Sequence, residues 1–294
     1  MASTASISPV SISSAALSAE IAPLGAELVR LRDRNGADLL WDGDPAVWNG
    51  RSPLLFPIVG EVARNRLDVA GKAYEIGRHG FARISTFSLV DSDAASCTWR
   101  LESSEATRRR YPFEFRLDVT YRIDAAVLHM EAQVTNTGAV VMPASFGFHP
   151  ALRWPLPYGK SRDAHEIVFE RDEPAPVRRP VDGLLSAAQF PTPVRDRHLL
   201  LHDDLFEDGA LVFDTLASRS VLYGDAIKVD FPRMPHLGIW TKPGAGYVCI
   251  EPWQGHASPE GFDGELADKP GVVAIAPGTT NSFAMSLNVL PPDS

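Results

Sequence analysis

The sequence places a single glutamate between an apolar strand and a tryptophan. Tyr247-Val248-Cys249-Ile250 predicts a buried strand, and Glu251, Pro252 and Trp253 follow it. Because proline cannot donate a hydrogen bond to a sheet, the strand is predicted to end at Glu251. Apolar surroundings raise the pKa of a carboxyl group and make it a usable general base near neutral pH. The alternative is an ordinary solvated glutamate at the end of a strand.

Two histidines stand at similar junctions between predicted strands and loops. His79 is followed by Gly80, which allows the backbone to approach another group closely. His149 follows an aromatic lead-in and precedes Pro150. Such junctions are where a rigid sheet presents reactive groups. Each histidine taken alone is also consistent with a structural role, which is the commoner one for a histidine beside glycine such as His79. Arg66 and Arg83 are likewise consistent with surface ion pairs.

Two histidines and one glutamate suit the interconversion of the α and β anomers of a sugar. Ring opening requires a proton on the ring oxygen and removal of the proton on the C1 hydroxyl. A protonated histidine gives the first and an ionised glutamate takes the second, and the roles reverse for closure on the other face. The reaction needs neither a cofactor nor a metal. Trp253 would stack under the apolar face of the sugar ring.

Other site chemistries fit the sequence less well. A metal site would need to assemble the scattered His79, His129 and His149, and no closely spaced pair of ligands is present. A glycosidase requires two opposed carboxylates, for which Glu251 could pair with Asp208 or Asp230. The motifs of serine hydrolases, P-loop proteins and dinucleotide-binding folds are missing from the sequence.

Composition excludes several other classes of protein. The chain has 294 residues and a net charge of -9, which argues against nucleic acid or an anionic membrane as a partner. Its two cysteines, Cys97 and Cys249, are far apart and predict neither a disulfide framework nor a zinc site. The N-terminus lacks the features of a secretory signal, so a cytoplasmic location is expected.

Alternation of apolar and polar residues predicts an all-β protein. Strands are predicted around Val10–Ile12, Leu17–Ile21 and Ala26–Leu31, a strand meeting a sheet edge at Leu54–Gly60, and a hairpin over Leu67–Ile76 with its turn at Ala70–Lys72. Four alternating segments between Thr86 and Val141 predict an antiparallel meander. No amphipathic helix longer than two turns is expected.

A long stretch between the two halves of the predicted strand pattern shows little periodicity. Residues 170–197 are rich in Pro, Arg and Asp, which indicates an excursion over the surface that could cover a site. Strands resume at Ala210–Phe213 and continue to Ser286–Val289. No repeat or shift in composition marks a boundary, so we predict one large antiparallel β-sandwich domain over residues 1–294.

Three stretches in this order resemble the aldose 1-epimerase (galactose mutarotase-like) family, and most closely its LacX-type bacterial branch. They are His79-Gly80-Phe81-Ala82-Arg83, Phe148-His149-Pro150 and Ile250-Glu251-Pro252-Trp253. The similarity covers nearly the whole chain. Further support comes from Gly25–Leu28, Leu55–Gly60, Leu237–Pro243 and Pro277-Gly278.

The resemblance implies a β-supersandwich fold, a sugar held in a cleft across one sheet, and no cofactor. It implies His149 as general acid on the ring oxygen, Glu251 as general base on the C1 hydroxyl, and His79 as a hydrogen-bonding partner that stabilises the ring-opened state. The residues expected to bind the sugar are Asn65, Arg66, Arg83, Asp208 and Trp253. Glu61 stands where relatives often have arginine, so the resemblance leaves the substrate preference open.

Three functions remain open from the sequence. The first is a mutarotase acting on an unmodified hexose, and the second is a hexose-6-phosphate 1-epimerase. A phosphate needs at least two converging cations, for which Arg64, Arg66, Arg83 and Lys242 are available. The third is a carbohydrate-binding protein without turnover. In each case the partner is a small-molecule sugar, and both a monomer and a homodimer are compatible with the sequence.

Overall fold

Strands make up nearly all of the regular structure in a computed structural model of the chain, which describes residues 8–291. In chain order they are β1 (Val10–Ser13), β2 (Leu17–Ile21), β3 (Leu28–Asp33), β4 (Leu54–Leu55), β5 (Arg66–Val69), β6 (Lys72–Glu75), β7 (Ser88–Ser92), β8 (Ser96–Glu102), β9 (Phe115–Asp124), β10 (Val127–Asn136), β11 (Met142–Ala144), β12 (Phe146–Phe148), β13 (Ala151–Arg153), β14 (Glu166–Phe169), β15 (Pro180–Val181), β16 (Leu184–Leu185), β17 (His198–Leu200), β18 (Leu211–Phe213), β19 (Ser220–Tyr223), β20 (Ile227–Asp230), β21 (His236–Trp240), β22 (Tyr247–Gln254), β23 (Val273–Ile275) and β24 (Thr280–Val289).

Helices are short throughout the described range. One α-helix, α1 (Glu105–Arg108), starts at a capping box formed by Ser104 and Thr107. The 3₁₀ helices are Ala63–Asn65, Ala82–Ile84, Arg162–Ala164, Asp203–Phe206 and Leu266–Asp268. None of the helices in residues 8–291 has the length and apolar character needed to cross a membrane.

The largest sheet contains nine antiparallel strands in the order β17-β14-β19-β20-β24-β10-β9-β8-β7. The predicted meander forms its β10-β9-β8-β7 half, which confirms that prediction. Along β9, the side chains of Phe115, Leu117, Val119, Tyr121 and Ile123 are buried and alternate with more exposed polar ones. This alternation gives the sheet one face for the core and one face toward solvent.

A second, antiparallel sheet carries the strand that contains Glu251. Its order is β18-β21-β22-β12-β4, with β13 also paired to β22. Phe146 on β12 stacks on Phe283 of β24 at a ring-centroid distance of 5.3 Å, so this sheet packs against the nine-stranded one. The all-β sandwich expected from the sequence is therefore confirmed. On β22, Val248 and Ile250 enter the shared core, which leaves the opposite face of the sheet for other uses.

The remaining strands form smaller sheets. β1, β2 and β3 form the predicted N-terminal sheet, and β5 and β6 form the predicted hairpin. The stretch from 170 to 197 includes a second small hairpin, β15–β16, tied to the body by bridges from Arg178 to Val212 and from Leu185 to Pro259. Pro180, Gly183 and Leu185 of this hairpin line the cleft described below, so the excursion does border a site.

Candidate active site

Glu251 lies in the middle of a strand and not at its end. β22 continues through Pro252 to Gln254, so the prediction that the strand stops at Glu251 is wrong. The N–H of Ile250 donates to the carbonyl of Pro150. Because backbone nitrogens two residues apart in a strand point to the same neighbouring strand, the nitrogen of Pro252 also faces the strand that carries Pro150. On that side the neighbouring strand is interrupted between β12 and β13. The sheet therefore tolerates the proline because the missing donor faces a gap in the ladder.

The same interruption holds His149. This histidine lies between β12 and β13, and the proline that follows it restricts its backbone to extended conformations. Its Nε2 is 3.1 Å from Oε2 of Glu251, and the two residues are only 7% and 2% exposed. The donor and acceptor predicted from the sequence therefore meet directly in the structure, and we call them the dyad.

Burial shifts the pKa values of both members of the dyad toward their neutral forms. It raises the pKa of Glu251 well above its ordinary value and lowers the pKa of His149 to about 3, a shift that Arg83 and Arg78 reinforce. The indole N–H of Trp253 lies near the carboxyl group and favours its ionised form, although no hydrogen bond of normal geometry joins them. The dyad consequently retains one proton, which belongs to the pair.

His79 is held in one tautomer by the backbone of Gly60. The N–H of Gly60 donates to Nδ1 of His79 at 3.0 Å, so Nδ1 is unprotonated and Nε2 carries the proton. Burial and the neighbouring His149 lower the pKa of His79 well below its ordinary value. The two rings meet edge to face at a centroid distance of 5.8 Å. His79 is thus a neutral hydrogen-bond donor beside the dyad.

A tight backbone contact fixes the position of this histidine. His79 has a φ of +62°, and Gly80 follows with a φ of +72°. A Cβ on Gly80 would lie 2.2 Å from the carbonyl oxygen of Phe56, a distance that no side chain permits. The close approach expected from the His79-Gly80 sequence is therefore confirmed.

The dyad and His79 line the same cleft, which has a volume of about 370 Å³. This volume falls in the range of ~300–1,000 Å³ that is usual for small-molecule sites. Three tryptophans contribute to its walls, namely Trp48, Trp240 and Trp253. Trp48 packs on His149 at a centroid distance of 5.2 Å and meets Trp240 edge to face at 5.6 Å. The cleft thus offers flat apolar surfaces next to the dyad.

Two glycines on adjacent strands make room for Trp253. Gly238 of β21 pairs with Glu251, and Gly147 of β12 pairs with Trp253. A Cβ would lie 2.3 Å from the indole if added at Gly238, and 2.7 Å from it at Gly147. The indole therefore lies over positions that have no side chain, and it extends across the sheet beside the dyad.

Not every residue predicted from the sequence reaches this cleft. His79, Arg83, His149, Glu251 and Trp253 line it together. Asn65 and Arg66 do not: Arg66 pairs with Asp68 at 2.5 Å and borders a separate shallow pocket. Asp208 is exposed and stands one position before the lining residues Gly209 and Ala210. Neither Arg64, which borders the same shallow pocket as Arg66, nor Lys242 lines the cleft.

Several lining residues were not identified from the sequence. Trp48 comes from a loop that carried no periodic signal, and Trp240 lies within a stretch that only supported the resemblance. Arg78 and His256 also line the cleft. Nε of Arg78 is 2.5 Å from Oε1 of Glu61, so the residue noted as a departure from the family forms an ion pair at the cleft wall.

The alternative chemistries lose support from this arrangement. Glu251 is the one carboxyl group that lines the cleft in the described range, whereas Asp230 lies in β20 and pairs with Lys228. The two opposed carboxylates of a glycosidase are therefore not assembled. His129 lies on β10 of the nine-stranded sheet, away from His79 and His149. Within residues 8–291, the group of side chains that could hold a metal is instead His149, Cys249 and Glu251.

Comparison with known proteins agrees with the geometry. The family model for aldose 1-epimerase matches residues 9–275. The plasmid-encoded protein LacX of Lactococcus lactis subsp. lactis is 31% identical in an alignment 291 residues long. The alignment covers 93% of this chain and 97% of that protein. The chromosomal LacX protein of the same organism matches equally well.

Solved structures show the same architecture. A galactose mutarotase related enzyme from Lactobacillus acidophilus has 29% identity and a TM-score of 0.87, with 96% of this chain and 97% of that chain covered. A galactose mutarotase-like protein from Lactobacillus casei has 24% identity and a TM-score of 0.88, with 96% and 100% covered, and shares the fold. The chain therefore belongs to the aldose 1-epimerase family.

Proposed function

We propose that this protein is an aldose 1-epimerase that interconverts the α and β anomers of a hexose. The observation that carries the proposal is the 3.1 Å contact between Nε2 of His149 and Oε2 of Glu251, made within a cleft large enough for a small molecule. A proton donor and a proton acceptor in contact are what anomer exchange requires. The family to which the chain belongs supports the same reaction.

One proton shared by the dyad suffices for the whole reaction. Burial places the shared proton on Glu251 in the resting dyad, and the 3.1 Å contact lets it pass to Nε2 of His149 when the sugar binds. His149 then gives this proton to the ring oxygen while Glu251 takes the proton of the C1 hydroxyl, and the C1–O5 bond breaks to give the open-chain aldehyde. Rotation about C1–C2 presents the other face of the aldehyde. Closure then returns the proton from the ring-forming hydroxyl to His149 and the proton from Glu251 to the new C1 oxygen. The dyad ends in its starting state, so no net proton is consumed.

His79 and the tryptophans have supporting roles in this proposal. The Nε2–H of His79 donates to a sugar oxygen, and because its tautomer is fixed by Gly60 the donor needs no rearrangement as charge develops. The indoles of Trp48, Trp240 and Trp253 bind the apolar faces of the ring and exclude water from the dyad. Water exclusion is also what keeps the dyad neutral and singly protonated.

Two arginines favour a phosphorylated hexose as the second candidate substrate. Arg78 and Arg83 both line the cleft, and Arg83 has no carboxylate within ion-pair distance among residues 8–291. In the same range no Asp, Asn, Gln, Ser or Thr side chain lines the cleft to accept hydrogen bonds from sugar hydroxyls. Hydrogen-bond donors with positive charge suit an anionic oxygen better than a hydroxyl group.

Polarimetry on freshly dissolved sugars tests the activity and separates the candidates. Wild-type protein should accelerate mutarotation of at least one of galactose, glucose, arabinose and glucose 6-phosphate. If glucose 6-phosphate is the substrate, Arg83→Met should lower its kcat/KM by at least ~10-fold and leave that of neutral sugars nearly unchanged. Tight sugar binding without any acceleration would instead favour a carbohydrate-binding protein and contradict the proposal.

A further inference from the structure

Cys249 lies beside the dyad, although the proposed reaction does not use it. It precedes Glu251 by two residues on β22, so both side chains lie on the same face of the sheet. The thiol is fully buried and packs with Trp41, Ala151 and Tyr247. One ligand atom from each of His149, Cys249 and Glu251 lies within 4.8 Å of the others. Three buried side chains of different chemistry thus converge on one point.

These donors match the preferences of one metal ion. A thiolate, an imidazole nitrogen and a carboxylate oxygen are the three ligand types of protein zinc sites. Zn–S and Zn–N bonds of about 2.3 and 2.0–2.1 Å place tetrahedral ligand atoms roughly 3.3–3.8 Å apart. Nε2 of His149 and Oε2 of Glu251, at 3.1 Å, are already close to that spacing. The sulfur of Cys249 lies within 4.8 Å of both atoms, so a movement of about 1 Å brings it to the spacing of a zinc ligand.

The surroundings leave this site able to receive an ion. Nδ1 of His149 is buried and has no hydrogen-bond partner among the described residues, so coordination through Nε2 breaks no hydrogen bond at the other ring nitrogen. His149 and Glu251 both line the cleft, which gives an ion a route from solvent. A fourth coordination position facing the cleft would be free for water.

We propose that His149, Cys249 and Glu251 form a binding site for Zn²⁺, and that the bound ion inhibits the enzyme. Binding replaces protons: the thiol proton and the proton of the dyad leave to solvent, and the metal takes the donor electron pairs of sulfur, nitrogen and oxygen. The dyad then has neither a proton to give nor a free base to receive one. Metal binding does not depend on the proposed function, whereas inhibition rests on it.

Cobalt(II) is the probe of choice because it occupies zinc sites and reports sulfur ligation. Metal-free protein titrated with Co²⁺ should develop a thiolate-to-cobalt charge-transfer absorption that saturates at one ion per chain and is abolished by excess Zn²⁺. Cys249→Ser should lose this absorption and weaken Zn²⁺ affinity by at least ~100-fold, since loss of an outer-shell partner alone costs ~10–100-fold. Cys97→Ser is the matched control, because Cys97 is the other buried free thiol, and it should behave like wild type.

Activity provides the second arm of the test. Zn²⁺ should abolish mutarotation by wild-type protein and a chelator should restore it, whereas Cys249→Ser should retain the basal rate and resist Zn²⁺. Absorption that persists unchanged in Cys249→Ser, or that never appears in wild type, overturns the site. If Cys249→Ser does not fold, the wild-type protein provides the test. A saturating sugar should abolish its cobalt absorption, and absorption that persists with sugar bound counts against the site. A protein without mutarotase activity that still gives the cobalt signal refutes the proposed function and not the site.

Discussion

Two groups of buried titratable residues lie around β21 and β22, and the proposed function uses only one of them. The first is the dyad of His149 and Glu251. The second, here called the histidine–lysine cluster, consists of His236, His256 and Lys269, which are all largely buried. Burial lowers the pKa of His236 to about 4 and that of Lys269 to about 7. Both groups therefore show the perturbed pKa values that often mark functional sites.

The partners of the buried groups distinguish the two regions. In the cluster each side chain is satisfied by backbone: Nδ1 of His236 accepts from the N–H of Gly255 at 3.1 Å, Nδ1 of His256 donates to the carbonyl of Ala257 at 2.8 Å, and Lys269 donates to the carbonyl of His256. In the dyad the two side chains contact each other at the cleft, which only His256 of the cluster also reaches. A perturbed pKa thus indicates burial, whereas an acid and a base in contact at a cleft are what the proposed reaction needs.

The largest predicted effect is loss of activity when either member of the dyad is changed. Glu251→Gln and His149→Ala should each reduce the mutarotation rate by at least ~100-fold, the usual contribution of general acid–base groups. Because the two act as one unit, the double variant should lose little more than either single variant. Polarimetry measures the rates, and circular dichroism checks that the fold is intact. A single variant near the wild-type rate would remove that residue from its role.

Lys269 should affect stability and its pH dependence. Its folded pKa of about 7 lies below the ordinary value of 10.5, so between these pH values the unfolded chain binds more protons and stability rises with pH. The full cost of burying the charge is present below about pH 7. Lys269→Met should raise the free energy of unfolding by about 2 kcal/mol at pH 7, because the cost of burying the charge is removed and exceeds the contribution of the lost hydrogen bond. The increase should be much smaller near pH 10.

Urea denaturation across this pH range provides the measurement for Lys269. The exposed Lys72 is the matched control, since Lys72→Met should change stability by less than ~0.5 kcal/mol at every pH. If Lys269→Met destabilises the protein equally at pH 7 and pH 10, the lysine is not buried at a cost. The view of the cluster as a structural feature satisfied by backbone would then need revision.

A smaller effect should follow from placing a methyl group between the two regions. Gly238 pairs with Glu251 and is two residues from His236 on β21. Gly238→Ala pushes a Cβ into the Trp253 indole, which must shift at the wall of the cleft, so we expect the rate to fall by about 10-fold. Gly77→Ala, where an added Cβ meets nothing within 4 Å, should leave the rate unchanged. Equal rates for both variants would show that Trp253 does not need this position.

Most of the fold was predictable because the alternation of apolar and polar residues indicates which face of a strand is buried. The meander from β7 to β10 alternates over long strands, so its pairing follows from the residue pattern and short turns. β22 was harder, because seven of its eight residues are buried and alternation disappears where both faces are covered. The predicted end at Glu251 is wrong because Pro252 faces the gap between β12 and β13, and the local sequence does not reveal that gap.

The site was predictable where residues stand in motifs and not where loops supply them. His79, His149 and Glu251 come from three separate stretches, and their meeting in one cleft depends on the order of strands in the sheet. Trp48 and the β15–β16 hairpin reach the cleft through long connections whose path no local pattern specifies. Arg66 shows the converse, because the resemblance implies that it binds the sugar, whereas its side chain pairs with Asp68 and does not enter the cleft.

The smallest predicted effect on activity belongs to His236 and is the strictest test of the contrast between the regions. His236→Asn places an amide oxygen near the position of Nδ1 and can still accept from Gly255, whereas His236→Ala leaves that N–H without an acceptor. The alanine variant should therefore be less stable than the asparagine variant by about 1 kcal/mol. Both variants should keep mutarotation within about threefold of wild type, far from the ~100-fold expected for the dyad. A large loss of activity in the asparagine variant, with stability unchanged, would show that proton transfer extends beyond the dyad and that burial alone does not explain the pKa of His236.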